Sequence, residues 1–342
     1  MRLFRLYLPV LIMLTALTGC EHKDLCFNHP EHAARYDTRI AATYDLSWEM
    51  RGPEGPDWKA DWSAAFGLSY ESLDPVTPEG LCVNSYSIGG GTLTRHLPAS
   101  GGRVEMAPGL NAVLMYNDDT EFIVFDNLNS TVSAKASTRS RSRSGYKGNS
   151  LDPDGEPEKT ITTPDYLFGH YIEEYDQKAS ADVPTVEVTL HPLVFTYYVR
   201  YEFAGGIEYA GIARGALSGM AESVYLYDGH TGKERATILY DCKIHDWGVE
   251  AVVNSFGVPD YPNSVYSRSD GFFGLNLEVK LKNGKTLSFD YDVTQQVALQ
   301  PHGGVIVVKG LEISDEDGKE SGSGFDVSVD GWGEYEDVVI DL

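Results

Sequence analysis

The chain is predicted to be an all-β, exported protein built as two domains. Several segments alternate apolar and polar residues with period two. The first is Arg39 to Trp48, where Ile40, Ala42, Tyr44, Leu46 and Trp48 share one face. Turn signals recur about every 8–12 residues, the rhythm of a β-sandwich rather than of alternating strands and helices. Composition agrees, with 21 Tyr and 35 Gly in 342 residues and few Leu-rich helical runs.

The N-terminus sets the compartment. Arg2 and Arg5 precede an apolar run from Leu6 to Leu17, which leads into Leu17-Thr18-Gly19-Cys20. A charged start, an apolar core of roughly 12 residues and a small-residue cleavage site make a secretory signal, too short to span a bilayer as a helix. The Leu-Thr-Gly-Cys ending resembles a bacterial lipobox. That resemblance implies cleavage before Cys20, a thioether-linked diacylglycerol on its sulfur and acylation, commonly palmitate, of its amine. Residues 1–19 are therefore expected to be a removed signal peptide and 20–36 a lipidated tether. Removing residues 1–19 leaves 323 of 342, which suits two domains of roughly 150 residues. These are assigned to 37–176 and 177–342.

The formal charge is −24, and loss of Arg2 and Arg5 makes it more negative. That argues against nucleic acid, which rewards clustered Lys and Arg. Four cysteines occur, Cys20, Cys26, Cys82 and Cys242. With Cys20 lipidated, three remain and at most one bridge can form. Cys82 and Cys242 sit in apolar strand-like runs and are expected as buried thiols.

In chain order, Cys26 with His22, His29 and His32 fits no zinc spacing and belongs to the tether. After the Gly52–Pro56 break, Trp58 to Phe66 forms a short helix or loop. Strands follow at Leu81–Ser87, Thr92–Leu97, Arg103–Met106 and Asn111–Tyr116. Asn117-Asp118-Asp119 is expected to turn a hairpin into Glu121–Phe125. Residues 129–160, including Arg139, Arg141 and Arg143, carry little apolar surface and are expected to be a solvated loop or disordered. The aromatic stretch Pro164–Tyr171 should pack where the domains meet, and Lys178–Pro184 should be the linker. Thr185 to Phe203 then forms a central strand run, apolar on both faces in its second half. Further strands are expected at Ile207–Ile212, Glu222–Asp228, Thr237–Tyr240, Ala251–Gly257, Phe272–Leu281, Thr286–Tyr291 and Val305–Leu311. Asn283-Gly284 supplies a two-residue hairpin turn.

Several segments together carry a family resemblance: the start Cys20-Glu-His-Lys-Asp-Leu-Cys, then Pro78-Glu-Gly-Leu-Cys-Val and Thr163-Pro-Asp-Tyr-Leu-Phe-Gly. Tyr197-Tyr-Val-Arg-Tyr and Ala216-Leu-Ser-Gly-Met-Ala-Glu-Ser-Val-Tyr-Leu complete the set. They resemble Bacteroidetes surface lipoproteins of unknown function that look related to fimbrillin-type pilus subunits and fimbrial anchor proteins. The resemblance implies two tandem transthyretin-like β-sandwich domains and outer-membrane anchoring through lipid on Cys20, with surface exposure. It also implies a role as anchor or accessory subunit in fimbria assembly and adhesion, with fimbrial subunits as partners. Assembly would proceed by strand complementation, in which one subunit's strand fills another's open sheet edge. Polymerising relatives are trimmed by an Arg-specific protease near the first strand. Arg35, Arg39 and Arg51 lie there but sit in no maturation motif.

No catalytic constellation emerges, and neither a cofactor nor a metal is expected. Gly215-Ala-Leu-Ser-Gly219 lacks nucleophile-elbow spacing, so Ser218 is read as a turn residue. His170, His191, His230, His245 and His302 are scattered. Glu173-Glu174 with Asp165 is expected by chance in an acidic chain, and Asp315–Glu320 breaks the order of a calcium loop. The alternative function is glycan or host-ligand binding through Trp58, Trp62, Tyr261, Tyr266, Phe272 and Phe273. Exposed coplanar rings would favour it.

Overall fold

The structure, a computed structural model, describes residues 34–52, 54–88, 91–143, 158–262 and 272–319, with the backbone of Glu336–Val338. Cys20, Cys26, His22, His29, His32 and Tyr266 lie outside the described residues.

The fold is all-β, as expected, and consists of two sandwiches. The first is built from β1 (Tyr36–Tyr44), β2 (Gly80–Ser87), β3 (Thr92–Pro98), β4 (Gly101–Met106), β5 (Gly109–Tyr116), β10 (Phe168–Gln177) and β11 (Thr185–Pro192). Their order is β3-β2-β5-β10-β11-β1-β4. β10 and β11 pair only at Phe168–Pro192 and Gly169–His191, so the sheet turns a corner there. One layer is then β3-β2-β5-β10, and the other is β11-β1-β4. Ile40, Leu81, Val83, Val104, Val113, Phe168, Val188 and Leu190 fill the space between them, because alternate residues of every strand face inward.

The second sandwich contains β12 (Phe195–Gly205), β13 (Ala210–Ala221), β15 (Arg235–His245), β16 (Gly248–Ser255), β17 (Gly274–Leu281), β18 (Thr286–Asp292) and β19 (Gly304–Glu312). Its order is β18-β17-β13-β15-β16-β12-β19. Closed into a ring, both orders are the same. In each sandwich the first strand lies parallel to the last and antiparallel to the fourth. In each, the second strand sits between the third and fifth.

A three-stranded sheet lies between the sandwiches, with β6 (Ile123–Asp126), β7 (Lys135–Thr138) and β14 (Ser223–Tyr225) in the order β14-β7-β6. Ile123, Ala136, Leu167, Val194, Leu226 and Phe256 form a core there, together with Cys82, Leu114 and Tyr116 from the first sandwich. Leu167 confirms that the Pro164–Tyr171 stretch packs at this junction. A second join comes from the long β1–β2 connection, which contains α1 (Trp58–Asp61). It lays Trp62, Phe66, Tyr70 and Leu73 over the outer face of β12 and β19, against Tyr198 and Val305.

Several local expectations are corrected. The first strand stops at Tyr44 because Asp45 Oδ1 accepts from the Ser47 amide at 3.1 Å and its hydroxyl at 2.6 Å, folding a side-chain turn. Asn117–Asp119 makes no hairpin between β5 and β6, since β5 pairs β2 and β10 while β6 pairs β7. The run from Thr185 to Phe203 is two strands in different sheets, and its break falls at Pro192, which has no N–H to continue a ladder. β11 thus lies beyond the assigned boundary at 176/177 yet pairs in the first sheet, and the chain crosses at Leu193-Val194.

The described part of the 129–160 stretch is the largest correction, and 144–157 lie outside the described residues. It contains β7 and β8 (Ser140–Ser142), and it enters β9 (Lys159–Thr162). β9 pairs in parallel with β15, and β8 pairs with β9 and with the backbone of β20 (Glu336–Val338). Arg143 is buried, 3.0 Å from Glu278 and 2.6 Å from Asn276 Oδ1. Arg214 reaches the other oxygen of Glu278 at 2.7 Å. A composition rule predicts solvation from low apolarity. Here a carboxylate held between two guanidinium groups makes burial of the arginine tolerable instead.

Candidate assembly surfaces

Strand complementation requires an open sheet edge, so the edges are the place to look for function. β1 has none. Arg39–Tyr44 pair with Thr185–Leu190 of β11, and Tyr36–Ala41 pair with Gly101–Met106 of β4. Side chains tie the strand further. The buried Thr38 hydroxyl bonds Gln177 Oε1 and lies 2.9 Å from the Tyr175 hydroxyl. Thr43 donates to the Val188 carbonyl at 3.1 Å. Arg39 lies inside this ladder, with its side chain exposed and its backbone paired on both sides. Arg35 precedes the strand by one residue.

The second sandwich has its unpaired corner elsewhere. β18 and β19 share no ladder, and the outer edge of β19 is met instead by α2 (Thr294–Leu299). Gln296 Nε2 donates to the Val307 carbonyl at 3.1 Å, and its Oε1 accepts from the Val307 amide at 2.9 Å. Gln300 treats Val305 the same way, at 2.7 and 3.0 Å. In a strand, N–H and C=O of alternate residues point to one side. Two glutamines four apart therefore satisfy the positions a neighbouring strand would take. Trp58 Nε1 donates to Gln300 Oε1 at 2.9 Å, linking this cap to the β1–β2 connection.

Ser218 is not a turn residue. It is buried in β13 at a register shift, where its hydroxyl bridges the Gly274 amide and carbonyl, both at 3.1 Å. Glu173 and Glu174 are exposed at a bulge of β10, whereas Asp165 Oδ2 accepts from the Glu121 amide at 2.9 Å and the Phe122 amide at 2.5 Å. They share no site. Asp315 and Asp317 ion-pair with Lys319 and Lys285. His302 is buried with neither ring nitrogen hydrogen-bonded, stacked 4.3 Å from the Phe195 ring. Burial holds its pKa down, to about 4. Cys82 is a buried free thiol and Cys242 a half-buried one, and burial raises the pKa of both.

The six aromatic candidates form no exposed platform among the described residues. Trp62 packs edge-on against Trp48 at 5.9 Å and Phe66 at 4.8 Å, and Trp58 joins the same cluster. Tyr261 packs on His302, Phe273 is fully buried, and Phe272 alone of the five is exposed.

Sequence reasoning missed the glutamine cap. Its one visible signal is Gln296 and Gln300 at helical spacing just before a strand. Alternation announced β1 as a strand with one buried face, but not that both its edges are paired.

Comparisons with known proteins agree with this architecture. A Bacteroides ovatus protein described as "Putative fimbrium anchoring subunit Fim4B" is 25% identical over 252 residues, 73% of this chain. The chain spans 64% of that relative's length. The crystal structure of a protein described as a putative adhesin from Bacteroides ovatus superposes with a TM-score of 0.58 at 19% identity. That match covers 86% of this chain and 97% of the other, and shows a shared fold. A second Bacteroides ovatus structure, also described as a putative adhesin, matches at a TM-score of 0.47 and 11% identity, covering 83% and 90%. Residues 65–241, more than half of the chain and reaching from the β1–β2 connection into β15, match the family described as "Domain of unknown function (DUF5119)", and the chain belongs to that family.

Proposed function

We propose that the protein is a lipid-anchored structural protein of the bacterial cell surface. In this reading it is an anchor or accessory subunit in fimbria assembly and adhesion, held in the outer membrane through lipid on Cys20. The observation that carries the reading is the double pairing of β1. Cys20 lies sixteen residues before Tyr36, a span of at most about 55 Å of extended chain. Tension between membrane and fimbria enters at Tyr36 and runs along β1. It loads two ladders in shear, so many hydrogen bonds must yield together. A shaft subunit has to lose its lipid and vacate its first-strand socket, whereas an anchor has to keep both.

The description of the Bacteroides ovatus relative as a fimbrium anchoring subunit supports the same role. Partners then engage by strand addition at edges other than the filled β1 socket, where main-chain bonds give affinity and side-chain pockets give register.

Two experiments test the reading. Cys20→Ala should release the protein from the outer-membrane fraction, and retention there refutes the lipid anchor. Deleting the gene should change the number, length or attachment of surface fimbriae. Unchanged fimbriae refute the assembly role.

A further inference from the structure

One cluster of side chains lies outside both assembly surfaces. On the outer face of the first sandwich, Cys82 of β2 stands in register with His96 of β3 on one side and Tyr116 of β5 on the other. Asp118 follows two residues after Tyr116, and its carboxylate bonds His96 Nδ1. One donor atom each from Cys82, His96 and Asp118 lies within 4.8 Å of the other two. Asn84, next along the same face of β2, places its carbonyl oxygen 3.9 Å from the Cys82 sulfur and takes a 2.6 Å bond from Thr94. Burial grades across the cluster, from the buried Cys82 through Asp118 to the exposed His96. A polar island thus rims a core otherwise made of Leu114, Ile123, Leu167 and Val224.

We propose that Cys82, His96 and Asp118 bind one divalent transition-metal ion of the zinc class. Sulfur, imidazole nitrogen and carboxylate oxygen are the donors such an ion takes, and three protein ligands leave a fourth position open to water. The thiolate and imidazole select against calcium and magnesium, which require oxygen ligands. On binding, the Cys82 S–H bond breaks, its proton passes to water and a sulfur–metal bond forms. Neutral His96 supplies a lone pair and Asp118 an anionic oxygen. The His96 ring is exposed and can rotate from its bond with Asp118 to close the ligand triangle. The ion would pin β2, β3 and β5 together beside the interdomain core. Positions 82, 96 and 118 match no sequence motif because each ligand comes from a different strand or its end.

The test is a cobalt(II) titration of the metal-stripped mature chain, read by the near-ultraviolet thiolate-to-cobalt charge-transfer band. One equivalent should saturate the band, and zinc should abolish it by displacement. His96→Ala, at an exposed position that leaves the fold intact, should weaken binding at least tenfold. Cys82→Ser should remove the band, while Cys26→Ser and Cys242→Ser should keep it. Zinc should raise the melting midpoint of the wild type and leave that of His96→Ala unchanged. Absence of the band, its survival in Cys82→Ser, or equal affinity in His96→Ala overturns the proposal.

Discussion

In the first sandwich the corner between β10 and β11 is hydrogen-bonded at Phe168–Pro192, while β3 and β4 meet without a ladder. In the second, the corresponding corners exchange roles. β15 and β16 are bonded over Lys243–Glu250 to His245–Gly248, and β18 and β19 are not. One strand order therefore accommodates two closures. In both, the first strand fills the place between the last and the fourth, β1 in one and β12 in the other. The second sandwich fills its gap with two glutamine side chains. Unpaired edges invite association, and that of β19 is occupied by these side chains.

The largest expected effect probes the β1 socket. Ile40 is 1% exposed between the layers, so Ile40→Asp buries a charge with no partner and should cost about 4 kcal/mol or more. In hydrogen exchange, the amides of β4 and β11 should lose protection first. Equal loss across both sandwiches would mean that they unfold as one body.

Next comes the buried arginine pair that docks the 139–143 segment onto the second sandwich. Glu278→Gln removes the counter-charge of Arg143 and Arg214 and should cost about 3–5 kcal/mol in denaturant unfolding. The exposed Arg95–Glu105 pair of the first sandwich is the matched control. Its loss should cost no more than about 1 kcal/mol.

His302 gives a pH test. Its folded pKa is lowered from 6.5 to about 4. The unfolded chain therefore binds the proton more readily, and stability falls as pH drops from 6.5 to 4. The loss from this group is about 3 kcal/mol. His302→Phe should flatten that part of the stability–pH curve. An unchanged slope would place the titration elsewhere.

The smallest effect on stability concerns the cap. Gln296→Ala with Gln300→Ala should cost about 2 kcal/mol and leave the β19 edge open. Concentration-dependent dimers by light scattering should follow. A stable monomer would show that the β1–β2 connection protects the edge without the glutamines.

Much of this was legible in the sequence, for identifiable reasons. Period-two alternation placed β1, turn signals with short apolar runs placed β2 and β5, and Asn283-Gly284 marked the β17–β18 turn, because these signals are local. Apolarity on both faces of Tyr197–Tyr201 correctly announced a central strand. What could not be read depends on distant partners. Arg143 looks solvated until Glu278 and Asn276, more than 130 residues away, are placed beside it. The run through Pro192 reads as one until β11 and β12 are seen to pair in different sheets. Gln300 is an ordinary polar residue until the edge of β19 lies against it.

In the proposed function, a lipid at Cys20 holds fimbriae to the cell through β1. The most direct measurement is the fraction of fimbriae shed into the medium by cells expressing Cys20→Ala in place of the wild-type chain. Anchoring through Cys20 requires that fimbriae still form but are released. Fimbriae that stay attached in wild-type proportion refute it.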